Sequence, residues 1–457
     1  MSEENILGTR PIPQLALRFG IPSIVSMLVN SIYNLVDQIF IGQKVGYLGN
    51  AATSVTFPFV TLSLAVSLMI SVGTAANVGL NLGRGDQDKA DRTLGSGFLT
   101  AILSGLVLFI LGELFLSPCL KLFGATELVL PYAIDYARWY LIGVPLVSVG
   151  ILTSDEIRAD GSPSYAMFTM LAGAVTNIVF DWFFIFILEW GVTGAAVATV
   201  MGQFLTMILN LLYFRRLKTL HFRWKYVRLD PAILAQIMAL GFSSFINQAV
   251  MLVVQILLNK QAVTYGAMSK YGAEIPLTVF GIIMKINALM VSIIMGMTTG
   301  SQPIFSFNYG AGYYHRVKEL IRTNLIVCTI IGVCGTVVFQ MFPSQIIGIF
   351  GQEDALYNEF AVMALKTMTM LIFILGIQMT ANVYFQAVGK PGKAMIISLS
   401  RQLIFMVPAL TVFPLFLGIR GIMFAYPFSD ICAVTLCSVL LLMEMKALNR
   451  LLEKSVS

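Results

Sequence analysis

The chain has 457 residues, 57% of them hydrophobic and 11% charged, and a mean hydropathy of +0.83. Soluble domains carry roughly a quarter charged residues. This composition therefore excludes a water-soluble globular protein and predicts an all-α integral membrane protein, with apolar runs of about 20 residues as its spans. The net charge of +6 fits basic loops at a membrane surface. It does not suggest nucleic acid, because no basic stripe is interleaved with stacking aromatics in a polar context.

The opening stretch "MSEENILGTRPIPQ" is polar and acidic and lacks the basic region and short apolar core of a cleaved signal, so the first apolar run is expected to be a retained span. In chain order the predicted helices lie near 15–41, 51–80, 93–116, 132–154, 165–188 and 193–214, then 231–262, 275–305, 320–342, 360–387, 394–416 and 421–445. With both termini inside, nineteen Lys and Arg, from Arg10 to Lys454, fall on the inner loops and tails. Only Lys44, Lys121, Arg138, Lys260, Lys270 and Arg420 fall on the other side. That asymmetry supports cytoplasmic termini, and an odd span count would scramble it.

The sequence repeats. "NLGRGDQDKADRTL" from Asn81 resembles "NYGAGYYHRVKELI" from Asn308, "GSPSYAM" from Gly161 resembles "GKPGKAM" from Gly389, and "GVTGAAVAT" from Gly191 resembles "GIRGIMFAY" from Gly418, each pair 227 or 228 residues apart. The offset covers six helices, an even number. Two six-helix lobes of parallel topology are expected, related by a pseudo-twofold axis along the membrane normal: residues 1–214 and 231–457. The basic stretch 215–230, "RRLKTLHFRWKYVRLD", reads as a cytoplasmic linker, with an amphipathic helix at the headgroups as one form open to it. Two lobes around a central cleft make a transporter's architecture, but fold alone does not give function.

Polar residues inside the spans carry the functional reading. Asp37 lies far along the first span and Asp181 far along the fifth, in "TNIVFDWFFIF". Asn177 precedes Asp181 by one turn and shares its face, and Thr199 lies six residues into the returning sixth span. All four are expected at similar depth. A carboxylate there costs at least about 2.5–3.5 kcal/mol, and burial beside a second acid favours a bound proton or small cation. Asp37, Asn177, Asp181 and Thr199 are therefore candidate carriers of a coupling ion, and ligands if that ion is Na⁺. The alternative is that they only pin helices together by hydrogen bonds. Asp155, near the inner end of the fourth span, is a further candidate, weighed against an interfacial charge pair with Arg158; Glu156 stands beside it. The positions one repeat after Asp37 and Asp181 hold no acid, which confines the ion site to the first lobe. Lys285, the one cation well inside a second-half span, either snorkels, balances an acid or lines the cleft. Tyr33, Asn34, Gln38, Gln248, Gln255 and Asn287 are further cleft candidates. The five cysteines read as small buried hydrophobes rather than ligands or disulfides.

These residues resemble the multidrug and toxic compound extrusion (MATE) transporters, in the style of the bacterial subgroup that includes the staphylococcal multidrug exporter. The resemblance rests on "FGIPSIVSMLVNSIYNLVDQIFIG", "IRADGSPSYAM", "TNIVFDWFFIF", "GVTGAAVAT" and the repeat. It implies export of organic, often cationic, compounds in exchange for H⁺ or Na⁺. It also implies a first-lobe ion cluster onto which Asp37, Asn177, Asp181 and Thr199 map; Asp155 stands where many relatives have an amide. The seventh helix reads "GFSSFINQAVMLVVQ" and lacks the acid that other branches carry. The expectation is thus a monomeric antiporter of the bacterial inner membrane that needs no cofactor beyond its coupling ion. A lipid-linked oligosaccharide flippase of the same superfamily is the alternative. It would need several basic residues in the cleft, where only Lys285 is well placed. A membrane enzyme is not expected: the two histidines, His221 and His315, lie in loops, and no H-E-x-x-H, G-x-S-x-G or phosphate-cradling loop occurs.

Overall fold

The computed structural model describes residues 6–272, 274–349 and 355–456; residues 1–5 and the Lys454 side chain lie outside what it describes. No strand occurs among the described residues. Among the described residues eleven helices are long and apolar enough to cross a membrane, or twelve with a bent pair that passes the same test together as one span. The spans are α1 (Ile12–Lys44), α2 (Tyr47–Gly83), α3 (Gln87–Leu114), α4 (Leu130–Ala159), α5 (Pro163–Trp182, continued by a π turn over Phe183–Ile187) and α6 (Gly191–Tyr213). The second half holds α7 (Pro231–Ala267), α8 (Glu274–Gly300, continued by Gln302–Gly310) and α9 (Tyr314–Met341). It ends with α10 (Ala355–Met368 and Ile372–Ala387), α11 (Pro391–Leu399 through a π segment to Val407–Leu417) and α12 (Ile419–Val456). Only helices can satisfy every backbone group in a hydrocarbon layer. Their outer faces carry exposed Leu106, Val107 and Ile110 on α3 and Ile326, Ile330 and Val337 on α9, the apolar surface that a bilayer covers. This is a multi-pass membrane protein.

With the bent pair as one crossing, α1 begins and α12 finishes on the same face, called the terminal face below. The repeat recurs in three dimensions. Short helices follow α3 and α9, and their first residues, Leu116 and Pro343, stand 227 apart in sequence. One expected element differs. The tenth span is not a single rod but bends by 44° between Met368 and Ile372. No proline or glycine lies in the break. Thr367 and Thr369 instead turn their hydroxyls onto the carbonyls of Met363 (2.8 Å) and Leu365 (2.7 Å), a backbone competition that bends helices. The cysteines are all free, but only Cys328 and Cys437 are buried and Cys334 is exposed. The expectation that all five are core residues is corrected accordingly: a face turned to lipid accepts a small apolar thiol as readily as a core does.

The two sets of six helices meet along two seams, α1 with α8 and α2 with α7. On the terminal side the backbones approach closely. A Cβ on Gly73 would stand 2.0 Å from the Ile237 carbonyl oxygen, and one on Gly241 would stand 1.7 Å from that of Met69. Only glycine fits such a crossing. Hydrogen bonds fasten the same side: Gln302 Nε2 donates to the Val72 carbonyl (3.2 Å) and Asn77 Nδ2 to Gln236 Oε1 (3.3 Å). Ser31 and Ser292 join hydroxyls at 2.8 Å near mid-span.

The stretch between α6 and α7 forms two short 3₁₀ turns, Phe214–Arg216 and Trp224–Tyr226, and no amphipathic α-helix. It is strapped to the first six helices by two buried carboxylates. Asp160 accepts from Tyr213 Oη (2.9 Å), the Lys218, Thr219 and Leu220 amides (2.8, 2.7 and 3.0 Å) and Thr219 Oγ1 (2.9 Å). Asp91 accepts from the His221 amide and Gln87 Nε2, both at 2.9 Å. These bonds hold the backbone in an extended path that a helix could not follow.

Candidate ion and cargo site

Asp181 sits in the last turn of α5, immediately before the π turn. It is fully buried, Asn177 is 2% exposed, and Asp37 on α1 is 8% exposed. α5 and α6 pack tightly where Gly202 faces the Gly173 carbonyl, and this lets Asn177 Nδ2 donate to Thr199 Oγ1 at 3.4 Å. Asp37 and Asp181 lie within electrostatic reach of each other, and both act on Tyr33 and Tyr136. The four residues chosen from sequence are therefore brought together from α1, α5 and α6.

The hydrogen bonding at this cluster is incomplete. Asp37 Oδ1, Asn177 Oδ1 and both Asp181 carboxylate oxygens are buried without a well-formed hydrogen bond among the described residues, the Asn177 amide being the one donor close enough to act on Asp181. Helix-pinning acids would be satisfied, since an unpaired buried acceptor costs about 1–3 kcal/mol. Oxygens left bare in one pocket can take a proton, which turns a carboxylate into a donor, or a hard cation that prefers oxygen ligands.

Two residues of this pocket were not picked out from the sequence. Tyr136 and Tyr140 on α4, both 8% exposed, are buried beside it, Tyr136 within reach of both acids and Tyr140 within reach of Tyr33. Their spacing of four residues puts them on one helix face, a signal present in the sequence but indistinguishable there from ordinary span aromatics. At the far end of α1, Lys44 Nζ binds Glu189 Oε1 at 2.7 Å and holds that loop carboxyl below the usual range.

Asp155 is not part of this cluster. It takes a short hydrogen bond from Ser71 and pairs with Arg158 one turn on, both side chains about nine-tenths buried. Its neighbour Glu156 is fully buried, and neither of its oxygens meets a donor among the described residues. The position one repeat after Asp155, Asn382, is held without charge by Ser398 Oγ (3.2 Å) and Gln386 Nε2 (3.4 Å).

The cleft candidates scatter. Gln38 and Lys285 line one cavity of about 310 Å³ between α1 and α8, together with Leu35, Ile39, Gly42, Gln43 and Asn50. Tyr33 turns toward the acid cluster. Asn34 Nδ2 bonds back to the Asn30 carbonyl at 2.7 Å, and Gln255 Nε2 donates to Asn259 Oδ1 at 3.1 Å, each within its own helix. Asn287 keeps a buried, unpaired Oδ1. Gln248 is half-buried on α7. None of these last four lines the cavity.

Comparison with known proteins gives concordant results. The MatE family pattern matches residues 22–183 and 237–411. The multidrug export protein MepA of Staphylococcus saprophyticus is 26% identical over 437 residues, covering 94% of this chain and 93% of that protein. The FAD transporter of Shewanella oneidensis is 22% identical over 446 residues, 96% of each chain. A solved structure described as the outward-facing conformation of a multidrug resistance MATE family transporter superposes with a TM-score of 0.92 at 24% identity. It covers 98% of this chain and all of that one, a likeness of fold.

Proposed function

Because the chain belongs to the MatE family, whose members are multidrug transporters and not enzymes, we propose that it exports small organic compounds across a bacterial inner membrane in exchange for H⁺ or Na⁺. Organic cations are the cargo expected from the family resemblance. The observation that carries the coupling is the set of four buried, unpartnered oxygens on Asp37, Asn177 and Asp181. An ion from the far side fills that pocket and rearranges the first lobe, so cargo affinity falls. Ion binding and cargo release are then linked equilibria with reciprocal coupling. The terminal face is the cytoplasmic one in this reading, in keeping with the basic loops, and the tight seams there support an outward-open arrangement. The protein acts as a monomer in the bilayer and holds no cofactor. A lipid-linked oligosaccharide flippase is less well supported, since the cavity between α1 and α8 offers one basic residue, Lys285, where a pyrophosphate needs several.

The test is efflux of a fluorescent organic cation from proteoliposomes under separate pH and sodium gradients. One gradient is expected to drive efflux by the wild-type chain. Asp181→Asn is expected to remove the driven component entirely while the protein still elutes as a folded species. Wild-type efflux by that variant sinks the coupling assignment.

A further inference from the structure

We propose that the cavity between α1 and α8 is an oxyanion subsite of the cargo path, in which Lys285, Gln38, Gln43 and Asn50 hold a carboxylate or phosphate group of an amphipathic aromatic cargo. This rests on the reading of the cleft as the cargo path, and not on how transport is driven.

The cavity spans the two halves, with Gln38 and Gln43 on α1, Asn50 on α2 and Lys285 on α8. Its polar lining is three amides and an ammonium, and no carboxylate lines it. Among the described residues no acid pairs with Lys285; the nine ion pairs found there all involve other cations. The neighbouring acids are committed elsewhere. Asp37, adjacent to Gln38 in sequence, turns into the first lobe beside Tyr136. Glu189 is bound by Lys44, and Glu359 by Lys270 and Tyr271. On the second-half side the two buried acids of α12 are taken as well, Asp430 by Arg401 at 2.7 Å and Glu444 by Lys390 and Lys393.

Lys285 is exposed in this open cavity with no carboxylate to balance it, and an ammonium within a membrane span calls for a counter-charge. Four donor-bearing side chains around about 310 Å³ form strong, charge-assisted hydrogen bonds to an oxyanion. A bare organic cation placed there meets like charge and no compensating acid. Leu35 and Ile39 supply the apolar wall against which an aromatic body lies. A compound with a delocalised cationic ring at one end and a carboxylate at the other satisfies both this subsite and the cargo class expected above.

The discriminating probes are rhodamine 110, which carries a free carboxylate, and rhodamine 123, its methyl ester. The full-length chain is reconstituted in phosphatidylcholine nanodiscs without any ion gradient, and each dye is titrated by fluorescence anisotropy. Lys285→Gln is expected to weaken rhodamine 110 binding tenfold or more and rhodamine 123 binding less than twofold. Lys285→Arg, which keeps the charge, is expected to retain the preference. Equal loss of both dyes, loss of neither, or no binding of rhodamine 110 by the wild-type chain overturns the proposal. Repeating the titration in phosphatidylglycerol nanodiscs separates soluble cargo from a lipid headgroup. If wild-type affinity for rhodamine 110 vanishes there, the headgroup is the occupant and the cargo assignment fails. Coupling is read by driven efflux and not by this equilibrium, so either result can fail alone.

Discussion

Asp155 and Arg158 sit one turn apart near the end of α4, and each removes much of the other's cost of burial. Taking away one partner strands the other charge, which costs about 3–5 kcal/mol in such settings. Asp155→Ala is therefore expected to lower the thermal stability of the purified protein by that order, while the folded fraction keeps the wild-type ratio of cargo moved per ion. A variant that stays stable but loses coupling would put Asp155 back in the ion path. The contrast with Asp181 marks what single residues reveal in a sequence. An acid among "VFDWFF" has no partner within a helical turn except Asn177, so its expense points to function. An acid three residues before an arginine reads the same whether it binds an ion or a neighbour. Only the geometry, with Ser71 arriving from α2, separates the two. Tyr136 and Tyr140 stayed hidden for the opposite reason, because aromatic residues are ordinary in spans and nothing local distinguishes these two.

At the level of elements, the span pattern was legible because a bilayer imposes length and apolarity on every crossing. The bend in α10 was not, because two threonine hydroxyls cause it rather than a proline. The linker was legible as basic and interfacial but not in shape. Its path depends on Asp160 and Asp91, which lie 55 residues or more before the segment they bind. Asp160 accepts five hydrogen bonds from Tyr213 and the linker. Losing them together is worth on the order of 3 kcal/mol, which at 1.4 kcal/mol per decade is roughly a hundredfold in the population of detached linker. Asp160→Ala is expected to expose Arg215, Arg216, Lys218, Arg223, Lys225 and Arg228 to trypsin, with cleavage faster by up to that factor. An unchanged digestion rate would show that the strap is held by something other than this carboxylate.

For the whole molecule, the repeat offset was enough to predict two lobes, but not how they lean on each other. The seams between α1 and α8 and between α2 and α7 close on the terminal side, and the cavity with Lys285 opens beyond the Ser31–Ser292 contact. Rocking between two such states must break that contact or pivot on it. With both serines replaced by cysteine, the 2.8 Å oxygen separation predicts a disulfide under mild oxidant. The cross-linked protein is expected to stop transport and to recover it on adding reductant. Unaltered transport by the cross-linked species would mean that this part of the seam never separates.

The same strap has a mechanical corollary. Ser96 Oγ grips the Arg228 carbonyl at 2.8 Å, and Asp230 already caps α7 through the Ala232 and Ile233 amides. Leu229 is all that remains free between a fixed shore and the next rigid beam. A tether with so little slack cannot let the halves slide past one another, so any large excursion has to be a tilt hinged close to that leucine, and a few glycines inserted there would slacken the hinge while leaving every seam contact in place.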